Sequence, residues 1–222
     1  NLRVQGQGGD FTGSAGFEAI GWRADERQPG LRGLAGSAAF DQAGGVMKLA
    51  GPLRYDWAGF REPLEAEVGG TLGWWRDGDS WTLGAAGLRL RGEDFGATMR
   101  AEIAFGGPGV RPRLDLAADV DPSSFTAAKR FWVVGKMPPS TIEWLDTALV
   151  SGEVLDSRAV IAGDLDDWPF RDGQGRFDAR TRVSNATVAF RPDWPAAEGM
   201  ELDVAFDGPG MAIEGRGGIA GN

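Results

Sequence analysis

Alternation of apolar and polar side chains is the feature of this sequence that most restricts its fold. Apolar residues recur at every second position through residues 97–105, 114–120 and 200–206. Because successive side chains of a β-strand point to opposite faces of a sheet, each segment predicts a strand with one apolar and one polar face. Such half-buried strands are typical of antiparallel sheets. The sequence therefore predicts a mainly β protein.

Glycine-rich turns separate these predicted strands. Asp77-Gly78-Asp79 predicts a tight hairpin between two tryptophan-containing strands, and residues 106–109 and 208–210 predict other turns. Further glycine clusters at 30–36 and 69–73 extend the pattern, although the spacing is too uneven for a firm repeat. Turn signals at intervals of roughly 8–15 residues favour a meander of hairpins. We therefore predict an extended, curved antiparallel β-sheet that forms a groove.

One segment, residues 139–150, predicts a short α-helix instead. Ser140 is followed three residues later by Glu143, which is the spacing of a capping box, and Gly152 follows as a stop signal. Apolar side chains recur at helical spacing, at Ile142, Leu145 and Leu149. A helix this short is marginal alone in water, so we expect it to pack on an edge or end of the sheet.

The composition argues against an enzyme. The 222 residues include no His and no Cys, which removes the commonest general base and the usual ligands of a zinc site. We therefore predict no catalytic residue, no metal site and no cofactor. Because the formal net charge of −9 would repel a phosphate backbone, we also expect no nucleic-acid partner.

Two groups of acidic residues suggest specific chemistry. The first is compatible with a calcium loop, but the bidentate Glu that ends such a loop is missing, and Asp is a common turn residue. The second is compatible with the paired carboxylates of a glycosidase, but two of its members share the polar face of one predicted strand. The groups are Asp164, Asp166 and Asp167, and Asp115, Asp119 and Asp121. We interpret the first as turn chemistry and the second as a solvated face.

The tryptophans and the apolar strand faces leave two architectures open. Trp74, Trp75 and Trp81 flank a predicted hairpin, where they either clamp the strand ends or stack on sugars. The apolar faces either fill the core of a closed β-sandwich or line the groove of an open, curved sheet. Periodicity does not separate these structures. A closed sandwich would be a binding or structural module that recognises a glycan or a protein.

A series of motifs in the C-terminal part resembles a known family. In chain order they are Arg130-Phe131-Trp132, Ser140 to Leu149, Gly163-Asp164, Trp168-Pro169-Phe170, Gly173 to Phe177 and Trp194-Pro195. This order is similar to that of the AsmA-like superfamily, and specifically to the YhdP-type bacterial envelope proteins. The resemblance covers residues 129–221, whereas residues 1–128 share only alternating strands and glycine turns.

The resemblance implies a function in lipid transport. Proteins of this family are anchored in the inner membrane of Gram-negative bacteria, and their periplasmic part is expected to be a bridge-like β-groove. Such a groove would convey phospholipid toward the outer membrane and support outer-membrane integrity. The chain is then expected to be a periplasmic piece of a longer protein, without the anchor. Its expected partners are phospholipid acyl chains, flanking parts of the same longer chain and other envelope proteins.

Seven apolar residues are candidates for the lining of this groove. They are Met99, Ile103, Phe105, Leu114, Leu116, Val204 and Phe206. A plain core role is the alternative for each of them. We further expect residues 1–128 to be a repeating β-hairpin segment and residues 129–222 to be the family-like segment that contains the helix. The two segments together are predicted to form one continuous groove module.

Overall fold

The structure is a computed structural model that describes residues 1–7, 9–25, 28–78, 80–107, 109–132, 134–135, 137–168, 170–208 and 210–219. In these residues, 13 strands form one antiparallel sheet. The strands are β1 (Leu2–Gln7), β2 (Asp10–Trp22), β3 (Gly30–Asp41), β4 (Gly44–Asp56), β5 (Leu64–Asp77), β6 (Ser80–Arg91), β7 (Gly96–Phe105), β8 (Arg113–Val120), β9 (Ser123–Ser124), β10 (Leu149–Asp164), β11 (Arg176–Val188), β12 (Ala197–Asp207) and β13 (Gly210–Ile219). The predicted mainly β fold is confirmed.

The sheet is a meander in which the order in space follows the order in sequence. Each strand from β1 to β8 pairs with the next, β8 then pairs with β10, and the series continues to β13. The two-residue strand β9 pairs with the start of β10. In a meander, successive connections alternate between the two rims of the sheet. We name the rim with the β5–β6, β7–β8 and β12–β13 turns the hairpin rim, and the opposite one the loop rim.

The strand register places apolar side chains on one face throughout the sheet. Residues directly opposite each other share a face. On β4, for example, Met47 and Leu49 are half-buried or buried, whereas the neighbouring Lys48 and Arg54 are exposed. We call the sheltered surface the apolar face and the opposite surface the outer face. Within the described ranges no second sheet covers the apolar face, so the open sheet is observed and the closed sandwich is not.

Interruptions in the strand register bend the sheet. Extra residues break the pairing between β2 and β3, β3 and β4, β5 and β6, and β6 and β7, and again from β10 to β13. Such bulges bend a strand and increase its twist. Gly33 (φ +86°) and Gly70 (φ +140°) lie at these interruptions. The glycine clusters at 30–36 and 69–73 therefore lie within β3 and β5 and not at turns.

A helical insertion, residues 121–148, separates β8 from β10. It contains a 3-10 helix at Phe125–Phe131 and the α-helix α1 at Pro139–Ala148. The predicted α-helix is confirmed and begins at the predicted Pro139, but its capping and its C-terminal end differ from the prediction. Pro138 is the N-cap and makes no side-chain hydrogen bond, so the expected capping box at Ser140 is wrong. Pro139 starts the helix because its fixed φ suits the first helical position and it has no N–H to satisfy.

The C-terminal end of α1 also differs from the expectation. The chain turns directly into β10 at Leu149, and Gly152 lies inside this strand with a φ of +145°. Gly152 is thus not a helix stop. A Cβ at this position would lie 3.2 Å from Phe125 Cδ1, so the glycine allows the 3-10 helix to approach the sheet.

The buried core lies where the insertion meets the loop-rim ends of β10, β11 and β12. Its members are Ala148, Val154, Val183, Ala186, Val188 and Leu202, with Phe125, Met200 and Val204 packed against them. Val183 is 2% exposed. The core is small for a chain of this length, because most of the apolar face has no layer above it. No helix among the described residues is long and apolar enough to span a lipid bilayer.

Candidate functional site

The seven predicted lining residues lie on the apolar face. On β7 and β8, Ile103 is directly opposite Leu114, and Leu116 lies one pair further along. Phe105 faces Trp81 of β6. The remaining candidates, which lie on the same face, are Met99 of β7 and Val204 and Phe206 of β12. The structure therefore brings five candidates together on β7 and β8, and places the other two on the same face but three strands away.

The candidates are not deeply buried. Phe105 is 45% exposed and Phe206 is 36% exposed, and the other five are half-buried. Val204 alone among them packs against the core cluster. The exposure is possible because the sheet is open above these residues, and it leaves their apolar surface accessible from solution.

Sequence reasoning missed the residues that join the two groups of candidates. Ile161 and Ala159 of β10 lie opposite Leu116 and Ala118. Phe177 and Ala179 of β11 continue the same rows. In residues 177–183 the alternation of Phe, Ala, Thr and Val with Asp and Arg would have revealed the β11 positions. Residues 157–163 show no such alternation, because Val160 and Ala162 occupy outer-face positions.

The apolar face crosses all strands of the meander. Twelve neighbouring strands, spaced about 4.8 Å apart, give the face a contour length of about 50 Å across the strands. Half of a bilayer hydrocarbon core is about 15 Å thick. The face is therefore long enough for several acyl chains placed end to end along the hydrogen-bonding direction.

Aromatic side chains line the hairpin rim next to β10, β11 and β12. The ring centroids of Trp168 and Phe170 are 5.4 Å apart, and those of Trp168 and Phe177 are 5.3 Å apart. Phe177 lies 6.4 Å from Phe206. Phe170 is 5% exposed and covers Gly163, where a Cβ would come within 2.8 Å of its ring. These rings form an aromatic wall at one side of the apolar face.

The acidic residues next to this wall belong to a turn. Residues Leu165–Asp167 form a 3-10 helix, and Asp164 caps it by accepting a hydrogen bond from the Asp166 N–H at 3.1 Å. The interpretation of this segment as turn chemistry is consistent with that geometry. Among the described residues, no group of three or more acidic, His or Cys side chains could hold a metal ion.

The other acids pair with arginines on or beside the outer face. Asp115 bonds Arg113 at 3.2 Å, and Asp119 bonds Arg158 at 2.8 Å. Asp121 accepts two hydrogen bonds from the guanidinium of Arg89. The hydrogen bond from Arg89 is the main cause that lowers the pKa of the Asp121 carboxyl below its ordinary value. These carboxylates thus have ion-pair partners and do not face one another across a cleft.

The tryptophans of the β5–β6 hairpin point to both faces. Trp74 lies on the apolar face opposite Gly45, and Trp75 lies on the outer face opposite Thr82. A Cβ on Gly45 would come within 2.5 Å of the Trp74 ring, so this glycine makes room for it. Trp81, opposite Phe105, also lies on the apolar face, so two of the three rings share that face and Trp75 lies on the other.

The insertion is tied to the loop rim by ion pairs. Arg61 of the β4–β5 loop bonds Asp146 at 2.5 Å, and Arg130 bonds Asp94 of the β6–β7 loop at 3.0 Å. Lys129 donates to the Asp146 carbonyl oxygen at 2.7 Å. The insertion therefore closes the loop-rim side of the apolar face, opposite the aromatic wall.

An open sheet with one continuous apolar face, bordered by the insertion at the loop rim and by the aromatic wall at the hairpin rim of β10, β11 and β12, defines a trough-shaped β protein. The chain belongs to the YhdP protein family, whose family model matches residues 1–222. The resemblance inferred from residues 129–221 is thereby confirmed, and the match also includes residues 1–128.

A curated relative agrees with this assignment. The chain is 24% identical over 213 residues to the intermembrane phospholipid transporter YhdP of Escherichia coli (strain K12). The aligned region covers 90% of this chain but 16% of the relative, so the chain spans about a sixth of that protein's length. No solved structure matches the chain significantly.

Proposed function

We propose that the chain is one section of a bridge that conveys phospholipid across the periplasm between the inner and outer membranes, without enzymatic chemistry. The proposal rests chiefly on the uncovered apolar face that crosses all twelve neighbouring strands. The family assignment supports it, because the relative is an intermembrane phospholipid transporter. In this function the acyl chains lie on the apolar face and the headgroups stay in water.

The rows of the apolar face provide a physical basis for movement. Ala85, Ala101, Leu116 and Ile161 form one row across the strands, and Met99, Ala118, Ala159 and Ala179 form the next. Each methylene that leaves water contributes about 0.8 kcal/mol. Because successive positions of a row present similar small and aliphatic side chains, a tail that slides along the row exchanges one set of contacts for an equivalent set. The tail is therefore held on the apolar face by the burial of its methylenes, whereas its movement along a row meets only low barriers.

The proposed partners and location follow from the same function. The trough would bind phospholipid acyl chains and would continue into flanking parts of a longer, inner-membrane-anchored chain in the periplasm. Residues 1–128 and 129–222 would act as one continuous groove module, since the division between them falls inside the 3-10 helix Phe125–Phe131. Outer-membrane integrity would depend on the flow of lipid. Contacts with other envelope proteins belong to this proposal as well.

Native mass spectrometry of the purified chain tests the function. We expect the wild-type chain to carry adducts with phospholipid masses. Leu116→Glu places a charge on the apolar face and should abolish these adducts. The neighbouring outer-face substitution Ala117→Glu is the matched control and should retain them. Adducts that persist unchanged in Leu116→Glu, or a wild-type chain that never carries lipid, would refute the proposed function.

A further inference from the structure

A polar cleft lies at the loop rim, between the insertion and two loops of the sheet. Its volume is about 270 Å³. Arg61 and Glu62 contribute from the β4–β5 loop, and Asp94 contributes from the β6–β7 loop. The 3-10 helix and its cap supply the rest of the lining, which is Ser124, Thr126, Ala127, Lys129 and Arg130. Three cationic side chains from two separate segments therefore converge on one small volume.

The three cations are unequally neutralised. Arg61 and Arg130 each pair with a carboxylate, of Asp146 and Asp94 respectively. The half-buried Lys129 instead donates to the carbonyl oxygen of Asp146. Among the residues that the structure describes, no carboxylate lies within 4.0 Å of the Lys129 ammonium group. Lys129 thus carries a partly desolvated positive charge that lacks an anionic partner.

The lining of the cleft favours an anion. Three cations and two acids line the cleft, and the carboxylate of Asp146, which pairs with Arg61, balances the third positive charge. The preference for an anion therefore rests on Lys129, whose ammonium group bonds a carbonyl oxygen. Charge-assisted hydrogen bonds from ammonium and guanidinium groups to phosphate oxygens are about twice as strong as neutral ones. Arg61 and Arg130 keep further N–H groups. Ser124 and Thr126 share one hydroxyl hydrogen bond at 3.2 Å, which leaves one hydroxyl proton of the pair as an additional donor. The cleft volume corresponds to roughly nine water molecules, which is sufficient for a phosphate ester.

The 3-10 helix connects this cleft to the apolar face. Phe125, at its start, packs against the core at the loop-rim end of the face. Thr126, Lys129 and Arg130 line the cleft. One short helix thus has an apolar contact with the trough and polar contacts with the cleft. An amphiphile that lies across this rim would find an acyl surface and an anion-binding group within the span of seven residues, Phe125–Phe131.

We propose that this cleft binds the phosphate group of a phospholipid headgroup while the acyl chain lies on the apolar face, with Lys129 as the principal ligand. The inference rests on the proposed function and adds to it a fixed position for the headgroup. Lipid would then pause at the insertion, because the phosphate has to dissociate from the cleft before the tail can move on.

Calorimetric titration of the full chain with three probes tests this assignment. The probes are dihexanoylphosphatidylethanolamine, dihexanoylglycerol, which lacks the phosphate, and inorganic phosphate. Lys129→Gln should weaken binding of the phospholipid about ten-fold, as expected for a lost charged hydrogen bond, and should leave binding of dihexanoylglycerol unchanged. Lys129→Arg should retain phospholipid binding. Lys48→Gln, at an exposed lysine of the outer face, is the matched control.

The possible results separate the headgroup site from the trough function. Equal weakening of phospholipid and dihexanoylglycerol by Lys129→Gln would mean a structural role and would overturn the proposal. Phospholipid binding that is unaffected by Lys129→Gln would overturn the headgroup site while the trough function stands. Inorganic phosphate that competes as well as the phospholipid would identify a free-phosphate site and also overturn it. Failure of the wild-type chain to bind either lipid would instead refute the proposed function.

Discussion

Leu116 of β8 lies directly opposite Ile161 of β10, although the insertion of residues 121–148 separates these strands in sequence. Through this pair, the apolar row that begins on the N-terminal strands continues to Phe177 of β11. The insertion is therefore placed at the rim and does not divide the sheet. A continuous apolar face on both sides of the insertion is the structural basis of the proposed function.

The small core at the end of the trough should determine much of the stability. Val183 is 2% exposed and packs among core residues of three strands. Val183→Ala should lower the free energy of unfolding by about 2 kcal/mol, because two buried methyl groups are lost and a cavity remains. Val46, which is 50% exposed, provides the control, since Val46→Ala should change the free energy of unfolding by less than about 0.5 kcal/mol. Urea denaturation measures both values, and equal effects would contradict this placement of the core.

The glycines at the bulges should be sensitive to substitution. Gly33 has a φ of +86°, and a Cβ at this position would lie 2.6 Å from the Pro52 carbonyl oxygen. Gly33→Ala should therefore destabilise the chain by at least about 1–2 kcal/mol, from the backbone conformation alone. Gly16, on the adjacent β2, has nothing within 4 Å of the added Cβ. Thermal unfolding measures both variants. Gly16→Ala should be neutral or slightly stabilising, and a loss of stability equal to that of Gly33→Ala would argue against the bulge geometry.

The ion pair between Arg89 and Asp121, at the start of the insertion, should make the stability of the fold depend on pH in the acid range. The pKa of Asp121 is lowered in the folded state, first by the hydrogen bond from Arg89. Its contribution is therefore complete above the unfolded-state pKa of about 3.9 and is lost as pH falls through the folded-state pKa.

Asp121→Asn should consequently reduce the melting temperature at pH 6 but make little difference at pH 2. The difference should be small, equivalent to less than about 1 kcal/mol, because both side chains of the pair are partly exposed. Asp172→Asn, in an exposed loop, is the control for the loss of a surface carboxylate and should change the melting temperature little. A difference for Asp121→Asn that grows as the pH falls would have the wrong sign.

A charge on the trough floor should be tolerated, whereas a charge in the core should not. Ile103 is half-buried on the open face, so the carboxylate of Ile103→Glu can reach water and the chain should remain folded. Val183→Glu would bury a charge without a partner and should unfold the chain. Circular dichroism distinguishes the two results. Unfolding of Ile103→Glu to the same extent would mean that Ile103 belongs to a closed core.

The sequence predicts the strands and the apolar face well, because both depend on local alternation. Ile103 and Leu114 belong to runs with a clear period of two, and their shared face follows from the pleat and the register. The α-helix follows from the spacing of Ile142 and Leu145 in the same way. Its start at Pro139 agrees with the predicted range, but the capping box at Ser140 is wrong, because Pro138 is the N-cap and makes no side-chain hydrogen bond.

The bulges, the core and the polar cleft were not predictable from local patterns. Gly33 looks like a turn residue in sequence, but it occupies a bend within β3 that depends on the neighbouring strand β4. Val183 differs from other strand valines only because the distant insertion covers it. Lys129 lacks a carboxylate partner because of how that insertion folds against two loops, and no spacing rule describes such an arrangement.

Photo-crosslinking along β7 tests the central claim most directly. A photoreactive phenylalanine analogue is placed at each position from 98 to 105 in turn, and the folded chain is incubated with phosphatidylethanolamine vesicles. We predict a period of two, with crosslinks to phospholipid from the apolar face and none from the outer face. The positive positions are Met99, Ala101, Ile103 and Phe105, and the negative ones are Thr98, Arg100, Glu102 and Ala104. Crosslinking of equal strength from both sets, or from neither, would contradict an open trough that carries lipid.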